Sequence, residues 1–188
     1  MKAPLHVPGA VGRAAIAEID RVPWEELDNA YGTGAGEGDH ADVRAALARL
    51  GDDDEEAVME ASDVLFGNVC HQGTIYEATA YVVPFLAAYG AGADLEGEDL
   101  EIIASLLATI GYAASFDAPH GSHSGSWGDG VGQSTRAAYA ASEAHLRTMT
   151  ERHAELTSLT DALRELGRTK EPDQMLVATL EVLAFGRD

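Results

Sequence analysis

Apolar residues recur along this chain at helical rather than strand spacing, and strand signals are nearly absent. Pro23 suits the first position of a helix over 24–31, and Gly32 can end it. A glycine-rich joint at 32–38 follows, after which Asp39 is placed to cap a helix carrying Val43, Ala46, Leu47 and Leu50. Gly51 closes that helix, and the acids at 52–56 open another that presents Ala57, Val58, Ala61, Val64 and Leu65 on one stripe. Thr74 and Glu77, just before an apolar run to about Tyr89, have the spacing of a capping box. Leu100, Ile103, Leu107 and Ile110, with Ile102 and Leu106 on a second face, predict a central helix over 99–114. Residues 116–133 are rich in Gly and Ser and read as one long irregular loop. A helix or helix pair over 134–166 then carries Tyr139, Leu146, Met149, Leu156 and Leu163, with Gly167 as its stop. Pro172 leads into a last helix with Met175, Leu176, Leu180 and Leu183. The expectation is an all-α single domain of seven or eight helices in successive antiparallel pairs, over 1–188. It divides into N-terminal helices and joint (1–38), helix pairs (39–115), the loop (116–133) and C-terminal helices (134–188). The loose helix-pair rhythm is that of a degenerate solenoid.

Composition changes this picture little, and charge changes it more. A hydrophobic fraction of 46% argues against disorder even at a net charge of −20. Cys70 is the only cysteine, which rules out an internal disulfide and fits a reducing compartment. The N-terminus has no continuous apolar segment of the secretory kind, and no run approaches the roughly 18 apolar residues of a membrane span. A cytoplasmic protein is expected. Between Arg49 and Arg136 there is no Lys or Arg, while that span holds fifteen acids. Concentrated charge of this kind suggests an acidic face that steers a basic protein partner, although a solvated surface accounts for it equally. Direct nucleic-acid binding is disfavoured because phosphates call for a basic surface.

His71-Gln72-Gly73-Thr74-Ile75-Tyr76-Glu77-Ala78-Thr79, running on to Val83-Pro84-Phe85-Leu86, resembles the HEAT-repeat-like proteins common in actinobacteria. Their hallmark is an HQGTxYxAT segment followed by a VPFL helix. Trp24, Leu27 and Ala30-Tyr31-Gly32 upstream, and the helix pair at 39–69, are also similar to that family. The resemblance covers roughly residues 20–115 and implies an α–α superhelix without a defined activity. Some members lie near polymorphic toxin genes, which implies an immunity role. This chain departs from longer relatives in its shortness and in its loop at 116–133.

Two candidate sites follow. The first is an acidic edge of Asp52, Asp53, Glu55, Glu56, Glu96, Glu98 and Asp99, at two helix starts that antiparallel pairing brings to one end of the stack. The second is a pocket between the His71 turn and the long loop, with His71, Gln72, Tyr76, Glu77, Asp117, His120, His123 and Trp127 as candidate lining. His71 and Gln72 either face a groove at a helix start or satisfy the backbone of the turn, and the second reading is the stronger. His120 and His123 with Asp117 and Asp129 have ligand chemistry, but there is no HExxH and no cysteine pair, so no metal site is assigned. Cys70 beside His71 reads as a small core residue, because neighbouring side chains on a helix point apart. His153 falls on the apolar seam and reads as a hydrogen-bonded core histidine. No complete catalytic constellation is present, so no catalytic residue, cofactor or metal is expected. A protein-binding scaffold ranks above an enzyme or small-molecule binder.

Overall fold

Every residue from Ala78 to Gly90 is buried in the helix Glu77–Gly90, and the remaining elements are arranged around it. The computed structural model describes residues 3–33, 42–52, 54–92, 95–116, 125–126 and 130–186. Among these the helices are α1 (Arg13–Ile16), α2 (Val43–Arg49), α3 (Glu55–Val69), α4 (Glu77–Gly90) and α5 (Gly97–Ala114). They continue as α6 (Val131–Ala141), α7 (Glu143–Arg152), α8 (Thr157–Arg168) and α9 (Gln174–Phe185). The chain is mostly helical, as its periodicity predicts. Yet α4, not the helix over 99–114, is the central one. It is apolar on all sides, and such a helix is stable in water only when surrounded. It packs most extensively against α6, and α5 against α9, so the strongest contacts join elements distant in sequence. The α2–α3 pair is the most extensive contact between consecutive helices.

Several boundaries differ from the sequence expectation. Residues 24–31 are not a helix: a single 3-10 turn at Trp24–Glu26 gives way to strands β1 (Asp28–Asn29) and β2 (Gly32–Thr33), which pair antiparallel. Asp42 rather than Asp39 caps α2, its side chain accepting from the Ala45 amide at 2.9 Å; Asp39 lies outside the described residues. The stretch 134–166 is three segments, broken at Ser142 and again at His153. His153 is buried, and its Nε2–H donates to the Gly92 carbonyl 3.3 Å away. Gly167 does not stop α8, which runs on to Arg168.

The N-terminal segment is fastened across α4. The Ala3 amide donates to the Tyr81 hydroxyl (3.0 Å), which donates in turn to the Ala3 carbonyl (2.7 Å). The Gly12 amide reaches the Ala88 carbonyl at 2.8 Å. The His6 and Trp24 rings both lie near 6 Å from Phe85. Glu18 closes this segment: its carboxylate accepts from the amides of Gly9 (2.9 Å) and Ala10 (3.3 Å), and it meets His6 (3.0 Å) and Arg21 (3.3 Å). The Gly9 amide foremost, then the Ala10 amide, the His6 ring and the charge of Arg21, hold the Glu18 carboxyl below its ordinary value against partial desolvation. A depressed carboxyl stabilises the fold fully above the ordinary carboxylate range and loses that contribution as pH falls through the lowered folded value. The stability gap between wild type and Glu18→Gln is therefore expected to be widest near neutrality and to close in acid. Denaturant melts across pH measure it, and a gap of constant size would refute this role for the carboxylate.

Candidate functional site

The segment 70–79 turns the chain from α3 into α4, and it does so as a β-hairpin. Strands β3 (Cys70–His71) and β4 (Thr74–Ile75) pair with Cys70 opposite Ile75 and His71 opposite Thr74. The two loop residues, Gln72 and Gly73, have φ of 50° and 78°, the type I′ geometry whose twist matches paired strands. Thr74 is thus a strand residue and not a helix cap. The N-cap of α4 is Tyr76, and its amide donates to Thr79 Oγ1 at 2.9 Å. The same Thr79 hydroxyl donates to the Val69 carbonyl at 2.5 Å, tying the end of α3 to the start of α4.

Of the candidate pocket lining, His71, Gln72, Tyr76 and Glu77 fall among the described residues. Glu77, the first residue of α4, accepts from the Asp28 amide at 3.5 Å and so links to β1. Tyr76 is buried, and burial raises its phenol above the ordinary value, with smaller contributions from Cys70 and Tyr31. Cys70 is buried with its Sγ 3.9 Å from the Thr109 carbonyl, and burial pushes the thiol up to about 12. A thiol with that value is protonated at neutral pH and is no nucleophile. His71 is half-buried and meets the edge of the Tyr31 ring, whose centroid is 6.0 Å away; Gln72 is exposed at the tip. A third strand, β5 (Gly125–Ser126), pairs in parallel with β4 and brings that part of the long loop beside the hairpin. Asp117, His120, His123, Asp129 and Trp127 lie outside the described residues. Among the described residues, no group of three or more His, Cys, Asp or Glu side chains is placed to hold a metal ion.

Sequence reasoning overlooked Tyr31, Thr79 and Arg136. Tyr31 is 55% exposed and carries the aromatic edge beside His71. Thr79 stands within the HQGTxYxAT string, so its signal was available. Arg136 is buried and donates to the Ala114 carbonyl at 2.7 Å, a cation at the C-terminal end of α5 where the helix dipole favours one.

The acidic residues form the second site. Asp54 caps α3, accepting from the Glu56 amide at 3.2 Å, while α5 opens at Glu96 with Glu98 and Asp99 in its first turn. Tyr89, near the end of α4, reaches the turn that leads into α3. Its hydroxyl donates to the Leu50 carbonyl, which precedes α3 by a short turn. Burial raises the Tyr89 phenol, and the charge of Asp99 adds to that rise. Asp52, Glu56, Glu96 and Glu98 are exposed and Asp99 is half-buried; among the described residues none of the five enters an ion pair. Arg13, whose guanidinium lies 3.5 Å from the Asp52 carbonyl, is a cation at this end. Asp53 lies outside the described residues, as does the side chain of Glu55. Beside Glu96, an open cleft of about 440 Å³ runs to Arg152, His153 and Glu155 over Leu95 and Leu100.

No family model, curated protein or solved structure matches this chain. Among the described residues, no helix is long and apolar enough to cross a membrane.

Proposed function

We propose that this chain is a protein-binding helical scaffold whose acidic edge docks a basic partner, as an inhibitor or immunity protein does. In this reading its helices form a HEAT-like superhelix of the actinobacterial family that residues 71–86 resemble, and it works in the cytoplasm. The observation that carries the reading is the pair of acidic helix starts, whose Asp52, Glu56, Glu96 and Glu98 are exposed and without ion pairs among the described residues. Part of that charge serves the helix N-termini. The remainder projects a field that accelerates encounter with a cation-rich surface and weakens with salt. The turn into α4 supports binding over catalysis, since the Cys70 thiol is buried and the Thr79 hydroxyl of α4 is tied to the end of α3.

The test is kinetic. A partner captured at low salt from the cells of origin is measured against wild type and against Glu56→Gln/Glu96→Gln/Glu98→Gln. Association is expected to slow by about tenfold in the triple variant, with a flatter salt dependence and a dissociation rate changed much less. Unchanged association kinetics would reduce the edge to a solvated face and overturn the proposal.

A further inference from the structure

We infer that three arginines on the α7–α8 face form a binding site for a phosphate monoester dianion. Glu143, the first residue of α7, offers one oxygen, Oε1, to all three guanidinium groups. Arg168 Nη2 lies 2.5 Å from it, Arg147 Nη2 3.0 Å and Arg164 Nη2 3.6 Å. Arg164 also donates to Asp161 Oδ1 at 2.9 Å. Three cations facing two carboxylates leave a surplus positive charge at one spot of a chain whose net charge is −20. Along the chain Glu165 is next to Arg164 and Glu171 is three positions from Arg168, so the attraction is local to the guanidinium tips and is not a broad basic patch.

Geometry favours a tetrahedral anion. The arginines come from two helices, with Arg147 on α7 at i+4 from Glu143, and with Arg164 and Arg168 one turn apart on α8. Arg147 and Arg168 are 59% and 50% exposed, whereas Arg164 beneath them is 19% exposed. Each guanidinium has five N–H donors in a planar fork, and the shared carboxylate oxygen takes few of them. Glu143 therefore orients the forks while leaving their outer donors to solvent. Two forks from different helices suit the several oxygens of a phosphate, whereas a planar carboxylate is filled by a single fork. A purely structural clamp is the weaker account, because exposed ion pairs add little stability. The α7–α8 contact already has a 2.5 Å bond between the hydroxyls of Thr150 and Thr160, and both helices bury leucines in the core.

The experiment is a titration of the full chain followed by NMR of arginine side-chain and backbone amide signals, at constant ionic strength set with chloride. One arm uses inorganic phosphate and the other N-acetyl-phosphoserine amide, both at a pH where the dianion predominates. Saturable shifts confined to residues 143–147 and 164–170 are expected, and affinity should fall about tenfold or more in Arg147→Gln/Arg168→Gln. Tighter binding of the phosphoserine compound identifies a protein side chain as the source of the phosphate; equal or weaker binding identifies free phosphate. Arg147→Lys/Arg168→Lys keeps the charge and removes the forks, so it should also bind weakly. Shifts that never saturate in either arm, or undiminished affinity in either double variant with its thermal melt intact, would overturn the site.

Discussion

Phe85→Ala is expected to destabilise the fold by about 3–5 kcal/mol, the usual cost of emptying a buried phenylalanine site. Phe85 is fully buried in α4, so the substitution removes apolar contact and leaves a cavity that the surrounding helices fill only in part. The His6 and Trp24 rings, both on the N-terminal segment, pack about 6 Å from it. Loss of the ring therefore loosens the fastening of that segment as well as the core. For a chain of this size each kcal/mol lowers the melting temperature by roughly 2–4 °C, so a fall on the order of 10 °C should be seen. Amide exchange at Gly12, bonded to the Ala88 carbonyl, should quicken before exchange in α5 does. Phe85→Leu, which keeps most of the volume, should cost much less. An alanine variant within 1 kcal/mol of wild type in denaturant melts would show that the ring does not occupy this position.

Gly167→Ala should cost about 1–3 kcal/mol net, although alanine is the better helix former by about 1 kcal/mol. A methyl group at Gly167 would lie 2.5 Å from the Ala140 amide nitrogen and 2.9 Å from its Cα. Those are backbone atoms of α6, so relief requires that two helices separate rather than that one side chain turns. Gly51 is the comparison. A methyl there meets nothing closer than 3.6 Å, and Gly51→Ala should change stability little. Both glycines look alike in the sequence, each following an apolar helical stripe. Parallel thermal melts of the two variants measure the difference, and equal effects would mean that α6 and α8 are not in backbone contact.

That pair shows where the sequence is legible and where it is not. Helix existence follows from local periodicity, and α3, α5 and α9 lie close to where their stripes place them. Details set by distant partners are hidden. Thr74 and Glu77 satisfy a capping pattern, yet the N-cap is Tyr76, held by Thr79, and that choice rests on the hairpin at Gln72-Gly73 and the Val69 carbonyl. The break at His153 is settled by the Gly92 carbonyl, sixty-one residues away. Residues 28–33 pair as strands although their neighbours carry helix signals; the Ala30 amide there is bonded to the Asn68 carbonyl across the fold. Of the candidate sites, the acidic clusters were legible because charge at a helix start is written in consecutive residues. The triad of Arg147, Arg164 and Arg168 was not, since it exists only once α8 is laid against α7.

The fastening of the N-terminal segment has a consequence in time. The Ala3–Tyr81 bonds join residues seventy-eight positions apart, and the Gly12 amide is bonded to the Ala88 carbonyl of the same helix. At a synthesis rate of about 5–20 residues per second, α4 leaves the ribosome roughly 4–16 s after Ala3 does. Leu5 and Val11, which pack on the finished core, wait during that interval for the helix to which their neighbours Ala3 and Gly12 are bonded. Residues 3–16 are thus made before the helix they cover, and they can be seated only after it.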